Sequence, residues 1–164
     1  MTRPTTLTLA LAFLVACGGD SPTAPEPPPV FPSIAGAYSG ALVGTAPWQG
    51  QEAGSTINLE AAFAFSVSQT QGNLSGSYSL SGSALGCIPS LGCATDVLSG
   101  SGSFTGTVTE SGTIRIDFEP LCGSTPSWTG TTLSGGSWEI RGTFTLYDAC
   151  SVVAQFNSTI LMQR

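Results

Sequence analysis

The chain reads as an all-β protein: an up-and-down antiparallel β-barrel of about eight strands, with a two-sheet β-sandwich as the alternative arrangement. Three observations point there. Apolar and polar residues alternate with a period of two through most of the chain beyond residue 33. Turn-forming residues punctuate the alternating runs at Gln71-Gly72-Asn73, Glu110-Ser111-Gly112, Ser134-Gly135-Gly136 and Tyr147-Asp148-Ala149. A triplet of glycine, serine or threonine, and an aromatic recurs at Gly76-Ser77-Tyr78, Gly102-Ser103-Phe104, Gly136-Ser137-Trp138 and Gly142-Thr143-Phe144, with Ala37-Tyr38 a degenerate copy. That triplet suits a strongly curved sheet, where the strand bends at glycine and a ring fills the space.

Strands are expected over 35–44, 55–70, 73–82, 96–109, 113–119, 127–133, 136–147 and 150–163. In the second, Ile57, Leu59, Ala61, Phe63, Phe65 and Val67 share a face. In the fifth, Ile114, Ile116 and Phe118 alternate with Thr113, Arg115, Asp117 and Glu119. Trp138, Ile140, Phe144 and Leu146 form one face of the seventh, and Val152, Ala154, Phe156, Ile160 and Met162 one face of the eighth. Short connections between successive strands favour a meander, and eight strands suffice to close it. Alternation leaves open which way the apolar face points, since an outer-membrane barrel turns it to lipid. The glycines on that face (Gly76, Gly100, Gly102, Gly106, Gly142) and the non-aromatic Gln163-Arg164 end favour an inward apolar face.

The N-terminus has a different character. Leu7 to Ala16 is an apolar run too short to span a bilayer, and it ends in small residues, as a secretory signal does. Pro22, Pro25, Pro27, Pro28, Pro29 and Pro32 then make a linker with polyproline II character, which is extended at about 3.1 Å per residue. The expected division is a signal segment over 1–16, a linker over 17–32 and a β-barrel domain over 33–164.

Leu14-Val15-Ala16-Cys17 resembles the lipobox of bacterial lipoproteins. The resemblance implies cleavage between Ala16 and Cys17, a diacylglyceryl group on Cys17 and acylation of the new N-terminus. The competing reading of Cys17 is an ordinary buried cysteine at a helix end. The lipobox also implies a place in the bacterial cell envelope. Gly18 stands where an inner-membrane retention signal would have aspartate, which points to the outer membrane, with the domain in the periplasm or at the cell surface.

Composition removes whole classes of function. There is no histidine, and four basic residues, all arginine, face ten acidic ones, for a net charge of −6. Nucleic acid is gripped through clustered Lys and Arg, so it is not an expected partner. Without histidine there is no Ser-His-Asp or Cys-His nucleophile system and no histidine-based metal site, so neither an enzyme nor a metal or other cofactor is expected. Asp117 and Glu119 lie two apart on one strand face beside Arg115, which reads as solvated strand charge rather than as a carboxylate hydrolase or hard-cation site. Asn73-Leu74-Ser75 and Asn157-Ser158-Thr159 match the glycosylation pattern, to which a bacterial chain attaches little meaning.

Apart from Cys17, four cysteines remain: Cys87, Cys93, Cys122 and Cys150. An even count in an exported chain reads as a disulfide framework with three possible connectivities, of which Cys87–Cys93 with Cys122–Cys150 is favoured. The spacing Cys-x-x-Cys, expected of redox or metal sites, does not occur.

Ile34-Ala35-Gly36-Ala37-Tyr38-Ser39-Gly40 resembles the first strand of lipocalin-like and avidin-like barrels, where a glycine precedes an aromatic by two. In a closed barrel Tyr38, Phe63, Phe65, Tyr78, Phe104, Phe118, Trp138, Phe144 and Phe156 project inward. They form either a filled core or the walls of a cavity for a small apolar ligand, with Trp48 or Trp128 at its mouth. The expected function is therefore a lipid-anchored envelope module, structural or interacting with another envelope protein, and the alternative is a lipocalin-like binder.

Overall fold

The computed structural model describes residues 26–164, so Cys17, the apolar run before it and the first part of the linker lie outside the described residues. Eight strands follow one another: β1 (Gly36–Pro47), β2 (Thr56–Thr70), β3 (Asn73–Ile88), β4 (Gly92–Val108), β5 (Thr113–Phe118), β6 (Ser127–Thr132), β7 (Trp138–Asp148) and β8 (Ser151–Met162). Each pairs antiparallel with the next in one eight-stranded sheet ordered as in sequence. This is an up-and-down meander, not a sandwich. The sheet curls until its ends meet, where Ser39 and Gln163 exchange two backbone hydrogen bonds of 2.8 and 2.9 Å. Gly40 permits that seam, because a Cβ there would press on Ile160, Met162 and the Leu161 carbonyl.

The apolar face points inward. Tyr38, Leu42, Phe63, Phe65, Phe104, Ile114, Ile116, Trp138, Ile140, Phe156 and Ile160 are all buried. The outer face of β3, by contrast, is a run of serines from Ser75 to Ser83 at every second position. The glycine–aromatic triplets find their reason in the register. Gly76 lies opposite Phe104 and Gly102 opposite Tyr78, so each ring covers the glycine of the facing strand. Phe63, Phe65, Tyr78, Phe118, Trp128 and Trp138 form one chain of ring contacts through the interior, with centroids 5.2–6.2 Å apart. Edge-to-face pairs such as Tyr78–Phe118 add about 0.5–1.5 kcal/mol beyond area burial.

Strand lengths depart from expectation at one end. β3 runs on to Ile88 and β4 begins at Gly92, because their register continues unbroken to Cys87 opposite Cys93. Cys87 and Cys93 are disulfide-bonded across that hairpin, with Cα atoms 4.0 Å apart. Cys122 and Cys150 form the second disulfide, tying the β5–β6 loop to the β7–β8 turn. That turn is centred on Ala149 and Cys150, both with positive φ, one residue beyond the expected position. The 136–137 start expected for the seventh strand is instead occupied by a single 3-10 turn, Ser134–Gly136, and its exit.

At the opposite end the residues just before β1 are tied to the barrel. Phe31 packs on the core, and the Gln69 side chain donates to the Pro32 carbonyl and accepts from the Ile34 N–H. The N-terminal segment therefore enters the barrel beside the β2–β3 and β4–β5 turns. The β1–β2, β3–β4, β5–β6 and β7–β8 connections lie at the far end.

Candidate functional site: a slot in the barrel wall

The wall is incomplete toward the far end. β5 and β6 have six residues each, whereas β3 and β4 have 16 and 17. β4 pairs with β5 only from Phe104 to Val108, so from Gly92 to Gly102 its outer edge has no strand beside it among the described residues. The chain beyond β5 stays close to the chain before β6, through Phe118 N–H to the Pro126 carbonyl and a Leu121–Ser124 bridge. The Cys122–Cys150 disulfide draws the tip of this loop toward the β7–β8 turn, on the side away from β4.

Two observations establish which β4 groups face the open side. Ser103 donates its N–H to the Glu119 carboxylate and accepts from the Glu119 N–H, so both its backbone groups point away from β3. The 4.0 Å Cα spacing of Cys87 and Cys93 is that of a non-hydrogen-bonded antiparallel pair, which turns the backbone groups of Cys93 the same way. With a two-residue repeat, Thr95, Val97, Ser99 and Ser101 present their N–H and C=O groups to the open edge.

Behind the slot lies a cleft of about 70 Å³ lined by Phe63, Tyr78, Phe118, Glu119, Leu121, Pro126, Trp128, Thr143, Phe144, Thr145 and Tyr147. Four of the nine inward aromatics, Phe63, Tyr78, Phe118 and Phe144, meet there. Tyr38, Phe65, Phe104, Trp138 and Phe156 do not line this cleft and serve as core. Trp128 does not stand at a mouth as expected: it is buried in the interior, over Gly142 and against Phe63 and Phe118. Its Nε1 donates to the Thr143 carbonyl at 3.2 Å, which satisfies the indole inside the barrel. Trp48 is half-buried against Gly86 at the far end.

The electrostatics of this end are one-signed. Glu52, Asp96, Glu119 and Asp148 sit on the far loops and strand ends. The described arginines are elsewhere: Arg115 and Arg141 pair with Asp117 and Glu139 on their own strands, and Arg164 holds Tyr38 and the Ala35 carbonyl at the other end. Hydrogen bonds from the Ser103 hydroxyl and N–H hold the Glu119 carboxyl below the usual carboxylate range, and those from Ser90 do the same for Glu52. Burial, and then the nearby Glu119 charge, push the Tyr78 phenol up. Asp117 and Glu119 are not a convergent pair, since Asp117 is bound to Arg115 while Glu119 turns to Ser103. Among the described residues no three Asp, Glu or Cys side chains come together as a metal site.

The sequence held the signal for the inward aromatics but none for the slot, which depends on which strands stop short. No protein-family model, curated protein or solved structure matches the chain.

Proposed function

We propose that this protein is a lipid-anchored lipoprotein of the bacterial cell envelope, whose disulfide-stapled barrel acts as a non-enzymatic structural or interaction module at the outer membrane. The observation that carries the module reading is the filled interior. The rings pack against one another, and the aromatic cleft measures about 70 Å³. A benzene-sized guest occupies a cavity of about 150 Å³, so the smaller cleft supports reading the inward rings as a core. The anchor rests on the lipobox resemblance at Leu14-Val15-Ala16-Cys17. The docking of Phe31 and Pro32 at one end supports an orientation in which the slot and the β3–β4 hairpin face away from the membrane.

The test is Cys17→Ser with membrane fractionation and fatty-acid labelling. Loss of label and release from the membrane are expected, and unchanged retention would refute the anchor. The second reading, binding of a small apolar ligand, is favoured only by the aromatic lining of the cleft. Native mass spectrometry of protein drawn from its host envelope decides it, because a bound small mass supports the binder and a bare chain removes it.

A further inference from the structure

We propose that the open edge of β4 is a docking site for an extended, basic segment of another protein, which adds to the sheet as a further strand. The inference rests on the reading of the barrel as an interaction module and names the partner's chemistry. Three features converge on the edge. Thr95, Val97, Ser99 and Ser101 offer a row of N–H and C=O groups in the spacing a neighbouring strand requires. Edges of this length are ordinarily blunted by charged residues, proline or a bulge, and Gly92–Gly102 has no proline, no bulge and one charge, Asp96. An added strand would run along β4 from Thr95 to Ser101, beyond the Ser103–Glu119 contact, and its inward side chains at that end would approach Tyr78 and Phe118 at the aromatic cleft. Backbone pairing then supplies affinity and the cleft supplies selectivity, as in recognition by strand addition. A volume of about 70 Å³ suits one aliphatic side chain of roughly valine size.

Charge selects the occupant. Asp96 lies on the edge strand, with Glu119 beside the slot and Glu52 and Asp148 at the same end, and no described cation among them. A second copy would bring a second Asp96 to the new seam and another net −6. A segment carrying Lys or Arg meets the opposite sign, which raises its association rate and its affinity at low salt. The chain's own proline-rich stretch has few N–H groups to give and enters at the other end.

The experiment uses hydrogen exchange on the full chain in detergent micelles. The probe is a short peptide alternating valine and threonine, blocked at both termini, with a lysine at each end; a second peptide carries glutamates instead. With the lysine peptide, exchange across Thr95–Ser101 should slow by roughly tenfold, and the glutamate peptide should protect less. Ser99→Pro, which removes one edge donor without touching the β3 ladder, should abolish this protection while exchange in β2 and β8 stays as in the parent. Asp96→Asn, which preserves shape, should narrow the difference between the two peptides. Unchanged exchange along Gly92–Gly102 overturns the proposal. So does protection confined to the cleft, which would mark a small-ligand site, or peptide-independent protection with a doubled mass, which would mark self-pairing. Crosslinking of the protein to its neighbours in intact cells is run beside the exchange: envelope proteins captured elsewhere on the barrel, with β4 unprotected, would refute the edge site and leave the module. Peptide protection with no crosslinked envelope protein would uphold the edge and remove the envelope partner.

Discussion

Glycine and aromatic side chains work as matched pairs in this barrel, and the match is visible atom by atom at Gly142. The Trp128 indole lies on its Cα, and a Cβ there would fall well inside van der Waals contact with the pyrrole ring. Trp128 cannot retreat, because it is buried between Phe63 and Phe118 and tied to the Thr143 carbonyl. Gly142→Ala should therefore destabilise by about 1–3 kcal/mol through overpacking, although alanine is otherwise the better residue in a strand. A urea midpoint that falls with an unchanged slope is the expected outcome, and an unchanged midpoint would show that the ring can move. The triplets around Tyr78 and Phe104 were legible in the sequence because strand alternation places each ring on a known face. Trp128 was not. Its neighbours Ser127, Thr129, Gly130, Thr131 and Thr132 carry no apolar alternation that would assign it a side.

Strand length and staple position are properties of the elements. About eight strands were foreseeable from alternation and turn residues together, and the observed disulfide pairing was the favoured one of three. What was not foreseeable is that β3 and β4 extend together to the Cys87–Cys93 hairpin and that β4 outruns β5, since hairpin extension depends on cross-strand register, not on the alternation within either strand. The two disulfides close spans of very different length, with sequence separations of 6 and 28. Chain entropy then assigns about 2 kcal/mol to Cys87–Cys93 and about 3.5 kcal/mol to Cys122–Cys150. Replacing both cysteines of each pair by serine should lower stability in that order, read as melting temperature under oxidising conditions. Equal losses would mean that the hairpin staple supports more than its own tip. Removal of Cys122–Cys150 has a second consequence, because it frees the β5–β6 loop that the disulfide holds away from β4. Exchange at Thr95–Ser101 is a sensitive measure of that change.

For the whole molecule the excess of acidic residues sets the response to pH. Glu52, Asp117 and Glu119 are each held below their ordinary values by hydrogen bonds, from Ser90, from Arg115 with Ser127, and from Ser103. The folded state thus binds fewer protons than the unfolded one, so this stabilisation is present above the ordinary carboxylate range of about 4–4.5 and is lost as pH falls through the lowered folded values. Relief of negative self-repulsion acts the other way, but it is spread over exposed faces and screened beyond about 10 Å at 0.1 M salt. The urea midpoint should therefore fall from pH 6 to pH 3, and Asp117→Asn combined with Glu119→Gln should flatten the decline. A midpoint that rises toward acid would show that repulsion dominates. At the alkaline end the raised Tyr78 phenol means that stability declines as pH climbs through about 10, where an unfolded tyrosine ionises first. Sequence alone determined the all-β class, a count of about eight strands and which aromatics share the apolar face, because each follows from alternation and turns along the chain, and it favoured one of three cysteine pairings. Only the tertiary structure decided that the sheet closes between Ser39 and Gln163, that the inward rings pack into one core, and that β4 is left with an open edge beside an aromatic cleft. Closure, filling and exposure depend on where strands distant in sequence begin and end beside one another, and no periodicity within a strand carries that information.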